Sequence, residues 1–342
     1  MKQSIKLLLG GAFLLSLPMF LTSCEDILGE WSKPTPSIVT PSDGGGATAA
    51  ETYKLWNGTA FVDTPIPSDV IEITNTTTTF GAGTYIVKGD VTLSGIIFTG
   101  DAKVILCDGA KLTVNGVFES QNDPNPPSKM LYSMEIYGQE GNTGKLITSV
   151  DDGSKGMWFN NLTIHGGDIS VTATNDSWFP EGLYIDNDFK IHGGKLAVNG
   201  DKKGIMVDND ITVTGGTITA QAGLLGSGYG GEGIHAVGTF TVEGGMISAT
   251  AGDAKASSNG DGGDGINAKL TVNDGYVSAN GGAGDGTGTA GKGVTDGTLV
   301  TLGAGVTFFT TADPDPSSVY LPINPSTGTV QRCVSIFKEP EL

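Results

Sequence analysis

The sequence predicts an all-β fold: a right-handed parallel β-helix, a solenoid with three short strands per coil. Three observations lead there. One residue pattern returns at intervals of 22 to 32 residues, a period of two runs inside each copy, and 54 Gly accompany only 16% charged residues in a chain of 342. So much glycine, with 15 Pro, argues against a helical bundle, while 38% hydrophobic residues in short regular runs argue against disorder.

The copies begin at Gly156, Gly182, Gly204, Gly233, Gly265 and Gly293. After each glycine the first and third positions are apolar, as in Leu183/Ile185 and Ile205/Val207. A second strand carries Leu162/Ile164, Phe189/Ile191 and Ile211/Val213, and a third carries Ile169/Val171, Leu196/Val198 and Ile218/Ala220. Such alternation puts these side chains on one face of each strand, pointing inward. One coil has too little apolar surface to fold alone. Stacking supplies the rest, with each strand pairing to its equivalents about 4.8 Å above and below in three parallel sheets. The right-handed crossover rule sets the winding, and the strict hexapeptide period of left-handed solenoids is absent.

The regular repeats span 155–308. Upstream, Thr84 to Leu93, Lys103 to Val114 and Leu131 to Ser149 alternate less regularly and read as first coils within 80–150. Extra length in the longer copies falls in Thr174 to Pro180 and in the glycine-rich stretches Gln221 to Gly231, Thr250 to Gly263 and Asn280 to Gly291, which read as loops. Ser318 to Ile323 and Thr329 to Phe337 read as a hairpin capping the last coil, so that a β-helix over 51–312 ends in a cap over 313–342.

Lys2 and Lys6 precede the apolar run Leu7 to Phe20, the pattern of a secretory signal over residues 1–23. Leu21-Thr22-Ser23-Cys24 resembles a bacterial lipobox, which implies lipidation of Cys24. Residues 24–50, with Pro34, Pro36, Pro41 and Gly44-Gly45-Gly46, read as a flexible tether. No other run approaches the roughly 20 apolar residues of a spanning helix, so the membrane is expected to be engaged through the lipid anchor only. Glu25 and Asp26 are similar to the acidic export signal of Bacteroidetes surface lipoproteins, which implies an outer-membrane anchor facing the exterior. Cys107 and Cys333 lie near opposite ends of the folded part and are expected to be unpaired and buried.

Charge narrows the partners. The 19 basic and 37 acidic residues give −18, and Arg332 is the sole arginine. Without a basic face to displace counterions, nucleic acid is excluded. Anionic polymers are left with a few lysines or a bridging cation. A monomer is expected.

Lys203-Gly204-Ile205 followed by Asp208-Asn209-Asp210-Ile211-Thr212-Val213-Thr214-Gly215-Gly216-Thr217-Ile218, and Glu232-Gly233-Ile234-His235-Ala236 followed by Phe240-Thr241-Val242-Glu243-Gly244-Gly245, resemble the acidic right-handed β-helix carbohydrate-binding family of bacterial surface lipoproteins. The resemblance covers residues 155–300. It implies a pectate-lyase-like fold, binding of acidic and neutral plant polysaccharides, and associated calcium.

The residues themselves offer several candidate sites. The outward row of the first strand reads Trp158, Tyr184, Met206, His235, Asn267, with Trp178 and Phe179 on a nearby insertion. Trp158, Tyr184, Trp178 and His235 are the candidate carbohydrate contacts, because aromatic faces stack on sugar rings. Burial beneath the insertion is the alternative. Asp186 and Asp188 stack over Asp208 and Asp210, and like charges so placed invite Ca2+ or serve as Asx-turn residues closing the corner. Asp261 and Asp264, in a glycine-rich loop, are further calcium candidates, although the loop matches neither an EF-hand nor the nonapeptide calcium repeat. Lys155, Glu181, Lys203, Glu232, Asp264 and Lys292 mostly alternate in sign and read as an ionic ladder. His165 and His192 lack a third metal ligand and read as surface residues.

The function read from these features is a non-catalytic surface lipoprotein whose β-helix binds carbohydrate, through calcium in one version. An adhesin or structural spacer without a glycan ligand is one alternative; a pectate-lyase-like polysaccharide-degrading enzyme is the other. Lyases of that fold use arginine or lysine as base, and Arg332 sits in the terminal hairpin. The Arg-x-Lys segment of the hydrolases is absent.

Overall fold

The computed structural model describes residues 51–120, 129–175, 180–225, 228–312, 321–322, 324–325 and 330–338. The expected signal peptide, Cys24, the tether to residue 50, Trp178 and Phe179 lie outside the described residues. Those described belong to one compact unit, all-β apart from a single 3-10 turn at Gly297–Leu299.

Strands from successive copies form three parallel rows. The first joins Met157–Phe159, Glu181–Ile185 and Lys203–Val207, followed by the opening parts of Glu232–Val242 and Ile266–Val272. The second runs through Leu162–Ile164, Phe189–Ile191 and Ile211–Val213. The third comprises Asp168–Ala173, Lys195–Gly200, Thr217–Ala222, Met246–Thr250 and Tyr276–Asn280. Partners are equivalent residues of neighbouring copies: Leu183 opposes Ile205, Phe189 opposes Ile211, and Leu196 opposes Ile218. Upstream strands join the same rows through Gly83–Val87, Ala102–Leu106 and Met134–Gly138, and through Asp90–Leu93, Lys111–Asn115 and Lys145–Val150. The inward side chains make one core running from Ile73 to Ile336.

The three rows form two sheets rather than three. Most copies turn the corner between first and second strands with polar residues such as Asp186-Asn187-Asp188 or Asp208-Asn209-Asp210. Glu232–Val242 and Ile266–Val272 instead run extended through that corner, which fuses the first two rows into one sheet. Val237-Gly238-Thr239 and Lys269 supply no Asx residue to close a turn there.

The glycine-rich stretches are packed, not open loops. Their legs bond backbone to backbone: Gly252 N–H donates to Gly231 O at 2.9 Å, Gly263 N–H to Gly252 O at 3.0 Å and Gly282 N–H to Gly263 O at 2.8 Å. A Cβ on Gly252 would lie 1.7 Å from Gly223 O, and one on Gly282 would lie 1.8 Å from Gly252 O. Only glycine permits this approach.

The span expected to begin as coils at residue 51 opens instead with an antiparallel hairpin, Thr52–Trp56 against Phe61–Pro65. It lies on the flank of the stack. Tyr53 packs edge-on to Tyr137 with centroids 4.7 Å apart, and Trp56 stacks on His192 at 5.6 Å. Trp56 N–H donates to His165 Nδ1 at 3.2 Å. His165 is therefore 6% exposed, not a surface residue, and His192 is half-buried. Equivalence in the repeat put both on the outer face, and the hairpin, itself outside the repeat, covers them.

At the far end Cys333–Lys338 pairs antiparallel with Tyr276–Asn280 on one side and Val306–Thr311 on the other, and Leu321–Pro322 pairs with the latter. The last strand takes the free edge of the third row, and the sheet continues past it, antiparallel, through Val306–Thr311 to Leu321–Pro322. Its neighbour is thus Val306–Thr311 rather than the expected segment at Ser318 to Ile323, most of which lies outside the described residues. Cys107 and Cys333 form no disulfide; Cys333 is buried, whereas Cys107 is only half-buried.

Gly252→Ala is expected to destabilise the protein by about 2 kcal/mol or more, since the methyl meets backbone rather than a yielding side chain. Gly89→Ala, where nothing lies within 4 Å of the added carbon, should stay within about 0.5 kcal/mol of the parent. Urea unfolding compares the two. Burial, then His192 and Lys103, lowers the His165 pKa from 6.5 to about 4. The unfolded chain takes up this proton first, so stability present above pH 6.5 is lost as pH falls towards 4, by about 3 kcal/mol. His165→Asn should flatten that part of the urea-midpoint profile.

Candidate functional site

The outward residues of the first row form a continuous strip. Glu119 opposes Trp158, Trp158 opposes Tyr184, and Tyr184, Met206, His235 and Asn267 follow in register. All are half-buried. Inward neighbours such as Leu183, Ile205 and Ile234 lock each strand in the core and so fix where the outward side chains stand.

Trp158 and Tyr184 do meet on adjacent coils, but edge-to-face, with centroids 5.6 Å apart and planes at 66°. The Lys155 ammonium lies 3.9 Å from the Trp158 ring centroid and 4.8 Å from that of Tyr184. The pair is thus a bent, cation-capped ledge in place of a flat platform. The Trp158 indole N–H donates to Asp186 Oδ1 at 3.2 Å, and the Tyr184 hydroxyl donates to Asp208 Oδ1 at 3.1 Å. Burial and then Asp208 push the Tyr184 phenol far above its usual range, so it stays a donor.

One edge of the strip is the ionic ladder. Lys155 lies 3.9 Å from Glu181, which also meets Lys202 at 2.8 Å. Lys203 pairs with Glu232, and Glu232 accepts from His235 Nδ1 at 2.7 Å and from the Asn267 amide at 2.6 Å. Burial alone would raise the Glu232 pKa, but His235, Lys203 and Asn267 outweigh it and hold it at about 2. His235 and Asn267 are thereby bound into the ladder, which the repeat alignment did not foresee.

The other edge is Asp186 and Asp208, neutralised from within the protein. Lys129 Nζ lies 2.5 Å from Asp208 Oδ2 and 3.8 Å from Asp186 Oδ1, and Met130 N–H donates to Asp186 Oδ2. Asp186 is buried, and burial raises its pKa against the lowering effect of Met130, Trp158 and Lys129. Asp188 and Asp210, at the far side of the same turns, have different partners. Asp188 accepts from the Asn209 amide at 2.7 Å, and Asp210 from Thr239 N–H at 2.7 Å.

The four aspartates do not fit the expected Ca2+ site as one cluster: Lys129 and fixed donors hold Asp186 and Asp208, while Asp188 and Asp210 each accept a fixed N–H donor. Asp261 accepts from Thr289 N–H at 2.6 Å, and Asp264 from Lys292 N–H at 2.7 Å and the Thr295 hydroxyl at 2.8 Å. These two tie one glycine-rich segment to the next. Among the described residues no group of three or more His, Cys, Asp or Glu side chains is arranged to hold a metal ion. Lys129 was missed because it precedes the regular copies; its only sequence signal is a lone lysine after Pro-rich 124–127.

Residues 158–313 match the model of a family described as carbohydrate-binding domain-containing protein. This stretch is similar to a carbohydrate-binding domain, and it carries the strip from Trp158 to Asn267. No curated protein and no solved structure matches the chain.

Because the Glu232 pKa lies below its unfolded value, its stabilisation is present above about pH 4.5 and disappears as pH falls through 2, a loss of about 3 kcal/mol. Glu232→Gln should remove most of this acid limb when unfolding is followed by circular dichroism.

Proposed function

We propose that the chain is a non-catalytic, lipid-anchored surface protein that binds saccharide along the outward strip of its first row, with its coils wound as a right-handed β-helix. The observation that carries this reading is the strip itself. It sets a Trp–Tyr ledge in one row with Met206, His235 and Asn267, at a spacing fixed by the coils, within the stretch similar to a carbohydrate-binding domain. Aromatic rings contact the C–H faces of sugars, while fixed amides and carboxylates orient hydroxyls.

A binding role fits the chemistry better than catalysis. Asp186, Asp208 and Glu232 are each held by fixed donors or cations, and glycoside cleavage needs one carboxyl to donate a proton while another stays free to act. Arg332 is not beside this strip: its Nε–H donates to Gly281 O at 2.8 Å. The lipobox-like Cys24 and the acidic residues after it support a lipid anchor facing the exterior. Among the described residues no helix is long and apolar enough to cross a membrane.

Glycan arrays followed by calorimetry with neutral and acidic plant oligosaccharides test the reading. Trp158→Ala should weaken binding about tenfold, equivalent to about 1.4 kcal/mol, and a chelator should leave the parent protein unaffected. Unchanged affinity in the variant would remove the strip from the site, and release of shortened or unsaturated sugars would overturn the non-catalytic part.

A further inference from the structure

A second concave surface lies away from the first row, where third-row strands meet the packed glycine segments. Gln221, Thr250 and Asn280 stack there in register as the outward residues near the strand ends. Beside them Gly223, Gly252 and Gly281 form a floor without side chains. A side chain on Gly252 would strike Gly223 O, so the packing that demands glycine also leaves a trough of about 480 Å³. That volume falls within the roughly 300–1,000 Å³ range of small-molecule sites.

The walls of this trough are chemically distinct from the rest of a chain carrying 37 acidic and 19 basic residues. Arg332, the sole arginine, lines it together with Lys255 and Asp253. The guanidinium is held in place: Nε–H donates to Gly281 O at 2.8 Å, and Nη2 lies 3.3 Å from Asp253 Oδ1. Asp253 is itself anchored by Ala283 N–H at 2.6 Å. Lys255 donates its backbone N–H to Gly228 O at 2.9 Å, and its ammonium has no ion-pair partner among the described residues. Elsewhere, amides such as those of Asn187, Asn209 and Asn273 are spent on inter-coil bonds. Those of Gln221 and Asn280 make no side-chain hydrogen bond among the described residues.

We propose that this trough is a second saccharide site, selective for a sugar unit that bears a carboxylate. Arg332 and Lys255 pair with the carboxylate, and Gln221, Thr250 and Asn280 take the ring hydroxyls. A preorganised guanidinium with one N–H already fixed still has donors for an anionic oxygen, and charge-assisted bonds of this kind are the strong ones. The inference rests on the carbohydrate-binding reading but on different residues from the first-row strip.

Calorimetry with trigalacturonate and with neutral galactotriose, in chelator and about 0.15 M salt, tests it. The acidic trisaccharide should bind at least about tenfold more tightly than the neutral one. Lys255→Ala, at an exposed side chain, should weaken it about threefold, and Arg332→Gln about tenfold, with the melting temperature of each variant checking the fold. Trp158→Ala should leave a binding component that the double variant Lys255→Ala/Arg332→Gln abolishes.

Equal affinity for the two trisaccharides would overturn the proposal, as would uronate binding that Lys255→Ala and Arg332→Gln leave intact. If that binding is lost in Trp158→Ala alone, the trough is excluded while the first-row reading stands. If neither trisaccharide nor any arrayed glycan binds, both readings fall.

Discussion

Each strand of the repeat finds its hydrogen-bond partners in the copies before and after it, and the rest of the structure depends on that constraint. A strand three residues long, such as Phe189–Ile191, has no stability of its own. It persists because Leu162–Ile164 on one side and Ile211–Val213 on the other accept and donate in register. Register then governs composition. A shift by one residue would send Phe189 and Ile191 outward and bring Lys190 into the core. The same constraint makes glycine compulsory where backbones approach below side-chain distance, and it aligns the outward residues in straight rows.

Those rows carry the protein's charge. Net charge is strongly negative, yet the first-row face is nearly balanced locally, because Lys155, Lys202 and Lys203 alternate with Glu181 and Glu232 while Lys129 sits against Asp186 and Asp208. Stacking copies of one acidic turn would place carboxylate over carboxylate. A lysine from outside the regular copies, Lys129, lies against both carboxylates. The same lysine and the Met130 N–H tie the segment at 129–130 to the two carboxylates that accept from Trp158 and Tyr184.

The non-repeating parts finish what the repeat leaves open. A parallel row ends in unpaired backbone groups, and Cys333–Lys338 occupies that edge by running antiparallel to Tyr276–Asn280. Arg332, the residue before this strand, reaches Gly281 and so connects the cap to the glycine segments. At the other end of the chain, the hairpin of Thr52–Trp56 and Phe61–Pro65 covers His165, His192 and Tyr137.

The alternation of apolar residues by itself determined the strand faces, the alignment of copies and the rows. Leu183 over Ile205 and Trp158 beside Tyr184 were legible because a period of two leaves one choice of inward face once the core is continuous. The ionic ladder was legible for the same reason, since the position before each glycine carries a charge whose sign mostly alternates. Only the tertiary structure decided what lies across a row rather than along it. It set Trp158 edge-on to Tyr184 under Lys155, brought Lys129 to Asp208, and ran Glu232–Val242 extended through a corner that other copies turn. Those contacts join residues with no periodic relation, and a repeat carries information only about its own period.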